Sequence, residues 1–167
     1  MLVTDEQQQI ADAVRAFAQE RLKPFAEQWD KEHRFPKEAI DEMAELGLFG
    51  MLVPEQWGGS DTGYVAYAMA LEEIAAGDGA CSTIMSVHNS VGCVPILRFG
   101  SEQQKEQFLT PLATGAMLGA FALTEPQAGS DASSLKTRAK LDGDHYVLNG
   151  SKPVSYTHLT LPTKRIV

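Results

Sequence analysis

Cysteine, basic residues and long apolar runs are all scarce in this sequence. Its 167 residues include two cysteines, Cys81 and Cys93, whose number and spacing fit neither a disulfide framework nor a zinc site. Lysine and arginine total 14 against 22 acidic residues, so no basic stripe is available to neutralise nucleic-acid phosphates. No apolar run approaches the ~18 residues of a membrane-spanning helix. The sequence therefore predicts a protein that binds neither nucleic acid nor membrane and keeps its cysteines reduced.

The first residues, MLVTDEQQQ, lack the features of a targeting segment. They carry neither a basic stretch followed by an apolar one nor the Arg-rich, acid-poor composition of a transit peptide. Together with the unpaired cysteines, this start predicts a cytoplasmic protein.

Helical patterns dominate the first part of the chain. Thr4 with Gln7, and Ser101 with Gln104, have the spacing of capping boxes, which mark helix starts. Pro24 should interrupt the first helix, because proline removes a backbone donor and clashes with the preceding turn. Further helices are predicted at residues 36–47, 62–76 and 80–98, the last of them interrupted near Gly92 and Pro95.

The spacing of the apolar residues changes after Gly115, from that of helices to that of strands. The apolar run LGAFAL predicts a strand, and TRAKLDGDHYVLNG predicts two strands joined by a turn at Asp142 and Gly143. We therefore expect an α+β protein, with an all-α domain in residues 1–115 and the first strands of a β domain in residues 116–153.

The last residues break this pattern. A β domain of this size has few strands to cover its own sheet, so we expect most of that domain to be missing from the chain. Residues 154–163 can be reverse-translated as GTC TCT TAT ACA CAT CTG ACG CTG CCG ACG, which resembles a sequencing-library adaptor read as protein. We hypothesise that residues 154–167 are a non-native tail. An ordinary divergent tail is the alternative, and the nucleotide sequence distinguishes the two.

The stretch ALTEPQAGSD, residues 122–131, follows the apolar run. A loop that leaves a strand exposes backbone N–H groups, and Gly129 lets a ligand approach that backbone closely. The hydroxyl groups of Thr124 and Ser130 add two further donors. Such donors suit a neutral ring that carries a phosphate. The alternative is a plain turn, in which Pro126 presets φ and Ser130 bonds to its own loop. Spacing alone favours the plain turn, because such turns are common.

The order of several motifs resembles the acyl-CoA dehydrogenase family. GAFALTEPQAGSD followed by LDGDHYVLNGSK is similar to the A-L-T-E-P-x-A-G-S-D signature and the G-D-x-Y-V-L-N-G-x-K hairpin of the family's middle domain. In the helical part, PEQWGG, SVHNSVG and FGSEQQKEQFLTPLATG also resemble family segments, so the likeness covers residues 1–152. The resemblance implies a helical N-terminal domain, a β-barrel-like middle domain and a C-terminal helical bundle that is absent from this chain.

The resemblance implies FAD as the cofactor. Thr124 would hydrogen-bond the pyrimidine edge of the isoalloxazine ring, and Ser130 would reach both the pyrophosphate and the bound acyl-CoA substrate. Donors at that edge favour the reduced ring, because they stabilise its developing negative charge. The cofactor-binding residues so implied are Phe121, Ala122, Leu123, Thr124, Gly129 and Ser130.

The implied reaction is the α,β-dehydrogenation of short or branched acyl-CoA thioesters in fatty acid β-oxidation. A carboxylate base removes the α-proton while hydride leaves the β-carbon for the flavin. In the family this base lies in or near the C-terminal helical domain, so no catalytic residue and no metal ligand is expected in this chain, which should be inactive alone. The implied partners are an electron-transfer flavoprotein and, in the parent enzyme, further copies in a homotetramer.

Two other functions stay open from the sequence. One is a flavin oxidase or monooxygenase of the same superfamily, in which dioxygen reaches the reduced flavin. The other is an inactive helical interaction module, which the missing base would favour. The chain also departs from the family after Lys152, where an aromatic residue followed by Ile-Thr is expected and Val154, Ser155 and Tyr156 stand instead.

Two titratable residues near these motifs are predicted to be structural. His88 lies in an apolar helix, where a packed or capping histidine is the common case. Glu125 precedes Pro126 in a loop, so we expect it to take part in a turn rather than to act as a base.

Overall fold

The computed structural model describes residues 3–152 of the chain. The chain divides into two compact units, Met1–Phe121 and Ala122–Val167, of which the first is helical and the second contains a β-hairpin. The predicted tail and the expected Ile-Thr position lie outside the described residues. The domain boundary predicted between residues 115 and 116 stays a prediction.

The first unit is built from helices joined by short turns. Its α-helices are α1 (Asp5–Phe17), α2 (Ala26–Glu32), α3 (Lys37–Glu45), α4 (Gly63–Gly77), α5 (Gly79–Val87), α6 (Val94–Phe99), α7 (Glu102–Gln104) and α8 (Thr110–Ala113). π-Helical turns extend α1, α5 and α7 over Ala18–Leu22, His88–Cys93 and Lys105–Leu109, and a 3-10 turn covers Glu55–Trp57.

Both predicted capping boxes are confirmed. The Thr4 hydroxyl accepts from the Gln7 backbone N–H at 3.2 Å, and the Gln7 side chain accepts from the Thr4 N–H at 3.1 Å. Ser101 and Gln104 make the same reciprocal pair at 3.2 and 2.9 Å. Pro24 lies in the turn that precedes α2, as predicted. Local sequence therefore determines where these helices begin and end.

The core of this unit lies between α1, α3, α4 and α5. Helix α4 packs against α1 and its π-helical extension on one side and against α5 on the other. Burying a large aliphatic or aromatic side chain contributes about 1.5–3 kcal/mol each, so this core holds the helices together. The largest fully buried apolar side chains are Phe49, Leu22, Met43, Ile74, Met85 and Leu109.

The helix that runs from Gly79 to Phe99 is 21 residues long and, by length and composition alone, could cross a membrane. The interruption predicted near Gly92 and Pro95 is wrong, because a π-helical turn over His88–Cys93 carries the helix on into α6. Its buried residues include the polar His88 and Asn89, which bond to carbonyl groups of Leu112 and Leu48 in other segments. Buried polar groups with partners in neighbouring segments belong to a packed protein interior. We therefore describe this helix as part of the core of the helical unit.

The second unit contains an antiparallel hairpin of β1 (Arg138–Asp142) and β2 (His145–Asn149). Arg138 pairs with Asn149 and Asp142 with His145, which confirms the predicted hairpin. The turn centres on Gly143 and Asp144, one residue later than predicted. Gly143 has a φ of 65°, which a first central position of a primed hairpin turn requires. Every residue of both strands is exposed.

The predicted α+β class is confirmed, since a helical unit is followed by a small antiparallel sheet. The strand predicted at residues 118–123 is wrong for the described part of the chain, where these residues are neither helical nor paired with a strand. Phe121 and Leu123 within it are 45% and 38% exposed. An apolar run becomes a strand only where a neighbouring strand takes its backbone hydrogen bonds, and the described residues supply none.

Candidate cofactor-binding site

Residues 122–131 form a loop that folds back on itself around Pro126. The Glu125 N–H donates to the Ala128 carbonyl at 2.9 Å, and the Ala128 N–H donates to the Glu125 carbonyl at 3.0 Å. Pro126 and Gln127 are the central residues of this turn, and proline suits the first of these positions because its φ is fixed. The turn expected from the sequence is therefore present, and it lies before Gly129 rather than at it.

The Glu125 carboxylate is buried at the base of this loop, with its side chain 3% exposed. One oxygen accepts from the Thr137 N–H at 3.0 Å and from the Lys152 ammonium at 2.8 Å. The other oxygen accepts from the Lys136 N–H and from the Gln127 side-chain amide, both at 2.6 Å. Four donors therefore satisfy a carboxylate that would otherwise be costly to bury.

These donors make Glu125 unsuitable as a general base. The Lys152 ammonium, followed by the Thr137 and Lys136 groups, holds the pKa of Glu125 well below its ordinary value of 4.5. A general base needs a pKa near the working pH and access to the proton that it removes. Glu125 has neither, which agrees with the structural role predicted for it.

The residues predicted to contact FAD lie on both sides of this turn in the sequence. Within the described part of the chain, the N–H and hydroxyl groups of Thr124 and Ser130 donate to no protein acceptor. Ala122, Leu123 and Ser130 are exposed and Thr124 is half-buried, while Phe121 is the last residue of the helical unit. The loop thus presents unpaired donors, as a ligand rich in acceptors requires, and the contacts of these residues with FAD stay a prediction.

The structure gives Gly129 an unstrained backbone and open space beside it. Its φ lies outside the left-handed region, so the backbone does not require a glycine there. A Cβ added to Gly129 would meet no protein atom within 4 Å. The position therefore borders open space, through which a ligand can approach the backbone closely.

Asp131 closes the other end of the loop. Its carboxylate accepts from the Ser133 N–H at 3.0 Å and from the Ser133 and Ser134 hydroxyl groups at 2.5 Å each. These bonds begin the 3-10 turn Ala132–Ser134 and hold the pKa of Asp131 below its ordinary value. Asp131, rather than Ser130, is thus the loop residue that bonds to its own segment.

His88 in the helical unit is fully buried, as its structural interpretation predicts. Its Nε2 lies 2.9 Å from the Leu112 carbonyl oxygen, and its Nδ1 accepts from the Gly119 N–H at 3.1 Å. Nε2 therefore carries the ring proton, because a carbonyl only accepts and an N–H only donates. The imidazole links the π-helical turn to two later backbone segments.

His88 leads to a prediction for the pH dependence of folding. Burial lowers its pKa from the ordinary value of 6.5, so below that pH the unfolded chain takes up a proton that the folded chain excludes. Its contribution to stability is complete above pH 6.5 and is lost as the pH falls. In urea unfolding between about pH 7.5 and 5.5, the unsubstituted chain should lose stability more steeply than His88→Gln. Parallel slopes for the two proteins would contradict this assignment.

The two cysteines give a prediction about reactivity. Cys81 and Cys93 are fully buried, and burial raises the pKa of each thiol to about 12. The thiolate is the reactive form, so neither thiol should react with an aromatic disulfide reagent in the native chain, and both should react in denaturant. Reaction of either cysteine at the rate of a free thiol under native conditions would show that the core is open.

Two family models match consecutive parts of the chain. The acyl-CoA dehydrogenase N-terminal domain matches residues 4–116, and the acyl-CoA dehydrogenase middle domain matches residues 120–158. The chain belongs to the acyl-CoA dehydrogenase family. This confirms the resemblance inferred from the order of the motifs.

Relatives and solved structures agree with this membership. The rat mitochondrial short-chain specific acyl-CoA dehydrogenase is 49% identical over 87% of this chain and 35% of that protein. An acyl-CoA dehydrogenase of Bacillus subtilis is 48% identical over 91% of this chain and 40% of that protein. The chain thus spans 35–40% of the length of these two curated relatives.

Two solved structures share the fold. A chain in the structure of the electron transferring flavoprotein of Acidaminococcus fermentans has a TM-score of 0.87 and 42% identity, covering 91% of this chain and 40% of that one. A Mycobacterium smegmatis glutaryl-CoA dehydrogenase in complex with FADH2 has a TM-score of 0.84 and 39% identity, covering 90% of this chain and 39% of that one.

The cytoplasmic prediction is wrong. Relatives at 47–49% identity from rat, cattle and human are mitochondrial, and bacterial relatives are also found. The prediction depended on the composition of the first few residues. In a chain that covers about a third of the rat relative, those residues do not report on targeting.

Proposed function

We propose that this chain is the part of an FAD-dependent acyl-CoA dehydrogenase that holds the flavin through residues 121–130. The observation that carries the proposal is the loop itself. Among the described residues, the donors of Thr124 and Ser130 have no protein acceptor and lie beside open space at Gly129, in a chain whose family is established. The M. smegmatis relative is in complex with FADH2, which supports the same cofactor here.

The charges of the loop also bear on its fit to FAD. The two carboxylates of the loop, Glu125 and Asp131, are both occupied by donors from their own unit. The Lys152 ammonium balances the charge of Glu125, whereas Asp131 stays negative and accepts from the neutral donors of its own 3-10 turn. Unpaired N–H and O–H groups around an open backbone suit the acceptor atoms of a flavin and of its phosphates.

Each loop residue has a stated role in this proposal. FAD, when bound, accepts the hydride that leaves the β-carbon of the acyl group. The Thr124 hydroxyl donates to the pyrimidine edge of the ring, where negative charge develops, while Phe121, Ala122 and Leu123 line the ring. Ser130 donates to the pyrophosphate and to the acyl-CoA. The base that removes the α-proton is not among these residues.

The finer features of the enzyme follow the family resemblance. We infer a short or branched acyl-CoA substrate, because the rat short-chain enzyme is 49% identical and the VHNS stretch resembles members that act on short chains. An electron-transfer flavoprotein as the electron acceptor is supported by the likeness to the A. fermentans structure. The assembly of the parent enzyme as a homotetramer rests on the family resemblance alone.

Substrate preference tests the proposal. The experiment uses the family-length protein, by which we mean residues 1–153 of this chain followed by the remaining segments of a relative. Its kcat/KM for butyryl-CoA should exceed that for palmitoyl-CoA, because a pocket for a short chain excludes a long one sterically. A higher kcat/KM for palmitoyl-CoA would contradict the short-chain assignment. Absence of any flavin reduction by either substrate would contradict the dehydrogenase itself.

A further inference from the structure

Three segments of the hairpin unit meet at the Glu125 carboxylate. They are its own turn, the backbone of Lys136 and Thr137 just before β1, and Lys152 just after β2. The Lys152 side chain is 25% exposed and that of Glu125 is 3% exposed, so the ion pair is largely shielded from water. Breaking a shielded pair by removing one partner is costly, because the other charge is left without compensation.

Lys152 makes a second contact in the same loop. Its ammonium donates to the Leu123 carbonyl at 2.9 Å as well as to the Glu125 carboxylate at 2.8 Å. The residues on both sides of Thr124 are therefore fixed by one lysine. Thr124 itself bonds to no protein group in the described residues.

This arrangement leaves Thr124 free to bind a ligand while its backbone is held. A side chain that is oriented before binding loses less conformational entropy when the ligand arrives. An ion pair with fixed donors also defines one geometry, whereas an apolar contact of similar stability would not define the orientation of the backbone. The bonds of Glu125 and Lys152 thus do more than close the turn, which the Glu125–Ala128 backbone pair already closes.

We propose that Glu125 and Lys152 form a clasp that holds Thr124 in the orientation in which it contacts FAD. Both are positioning residues, because neither is required to touch the flavin or the substrate. The inference rests on the proposed flavin site, since it assigns the clasp a role toward that ligand. The existence of the clasp, however, is testable without any flavin.

The acid stability of the clasp follows from its donors. The pKa of Glu125 lies well below 4.5, so the carboxylate stays ionised at a pH where an exposed glutamate is half protonated. The contribution of Glu125 to stability is complete above its ordinary pKa and is lost only as the pH falls toward the folded value. The ion pair therefore persists throughout the pH range in which a dehydrogenase assay is run.

Amide hydrogen exchange on the 167-residue chain without flavin tests the clasp. Glu125→Gln replaces one carboxylate oxygen by an NH2 group, which cannot accept from the two donors of that oxygen. Lys152→Met removes the ammonium group but keeps an apolar stem. In both variants, the N–H groups at positions 125 and 128 and those of Lys136 and Thr137 should exchange at least about tenfold faster. Lys152→Arg should retain most of the protection, because the guanidinium restores the charge and the donors.

Two controls separate the clasp from general destabilisation. Lys140→Met removes an exposed lysine from β1 of the same hairpin and should leave exchange in the loop unchanged. Trp29 and Trp57 both lie in the helical unit, so the fluorescence unfolding transition should coincide in all variants. The proposal would be overturned if Glu125→Gln and Lys152→Met exchanged these amides no faster than the unsubstituted chain. It would also be overturned if the amides were already unprotected in the unsubstituted chain.

A flavin titration of the family-length protein tests the role of the clasp toward FAD. Glu125→Gln and Lys152→Met should raise the Kd for FAD about tenfold, whereas kcat at saturating FAD should change less than about threefold. An unchanged Kd together with faster exchange would overturn the positioning role. If the unsubstituted protein binds no FAD, the proposed function fails, while the exchange experiment still decides whether the clasp exists.

Discussion

The 167-residue chain on its own is expected to purify colourless and to show no acyl-CoA dehydrogenation. Apart from Phe121, the residues proposed to contact the flavin belong to a unit whose described sheet is one two-stranded hairpin, exposed on both faces. An isolated hairpin of this kind is at best marginally stable in water. Phe121 and Leu123, which we propose line the ring, are also exposed to solvent. A ring held only by this loop would stay in contact with water and be bound weakly.

The absorbance spectrum of the purified chain after incubation with excess FAD and desalting checks this result. The family-length protein, prepared in parallel, should retain the flavin and is the positive control. Circular dichroism should show that the helical unit of the short chain is folded, because its core is complete enough to bury Phe49, Met43 and Ile74. A yellow short chain with stoichiometric FAD would contradict the expectation and would show that residues 121–130 suffice for binding.

Replacing Thr124 by valine in the family-length protein is expected to lower the reduction potential of the flavin and to slow turnover. Valine has nearly the shape of threonine but removes a donor, at a cost of roughly 1–3 kcal/mol when the acceptor is buried. Reduction makes the pyrimidine edge more negative, so the loss falls mainly on the reduced form. For a two-electron couple this corresponds to a potential lower by roughly 20–60 mV. The same energy in the transition state slows the reaction about 5- to 160-fold.

Spectroelectrochemistry and steady-state kinetics measure the two effects. Thr83→Val is the matched control, because Thr83 is an exposed threonine of α5 whose hydroxyl bonds to the Gly79 carbonyl of its own helix. Gly129→Val should behave differently from Thr124→Val. The space beside Gly129 is open and its φ is ordinary, so the fold should tolerate valine while the added side chain obstructs FAD and raises its Kd. If Thr124→Val changes neither potential nor turnover, Thr124 is only a turn residue.

Features set by neighbouring residues could be predicted from the sequence. The capping boxes at Thr4 and Ser101 involve a residue and its third neighbour, and both were found as predicted. The hairpin was also predictable, because a glycine turn between two alternating segments is a local signal. Its turn lies one residue further along, at Gly143 and Asp144, since the position of the positive φ decides the register.

Features that join distant residues could not be predicted in the same way. Glu125 and Lys152 are 27 positions apart, and nothing in their local sequences indicates that one ammonium also reaches Leu123. The link between His88 and Gly119 spans 31 positions. The strand predicted at residues 118–123 failed for the same reason, because strand formation depends on a partner that an apolar run does not specify.

Anaerobic addition of butyryl-CoA to the family-length protein saturated with FAD is the most direct test of the central claim. If residues 121–130 hold FAD in an acyl-CoA dehydrogenase, the protein should bind one FAD per chain, and the oxidised flavin absorbance should bleach when the substrate is added. Thr124→Val should bind FAD but bleach more slowly, and Gly129→Val should bind it more weakly. A protein that binds no FAD, or whose bound flavin stays oxidised with butyryl-CoA and with longer acyl-CoA substrates, would contradict the claim.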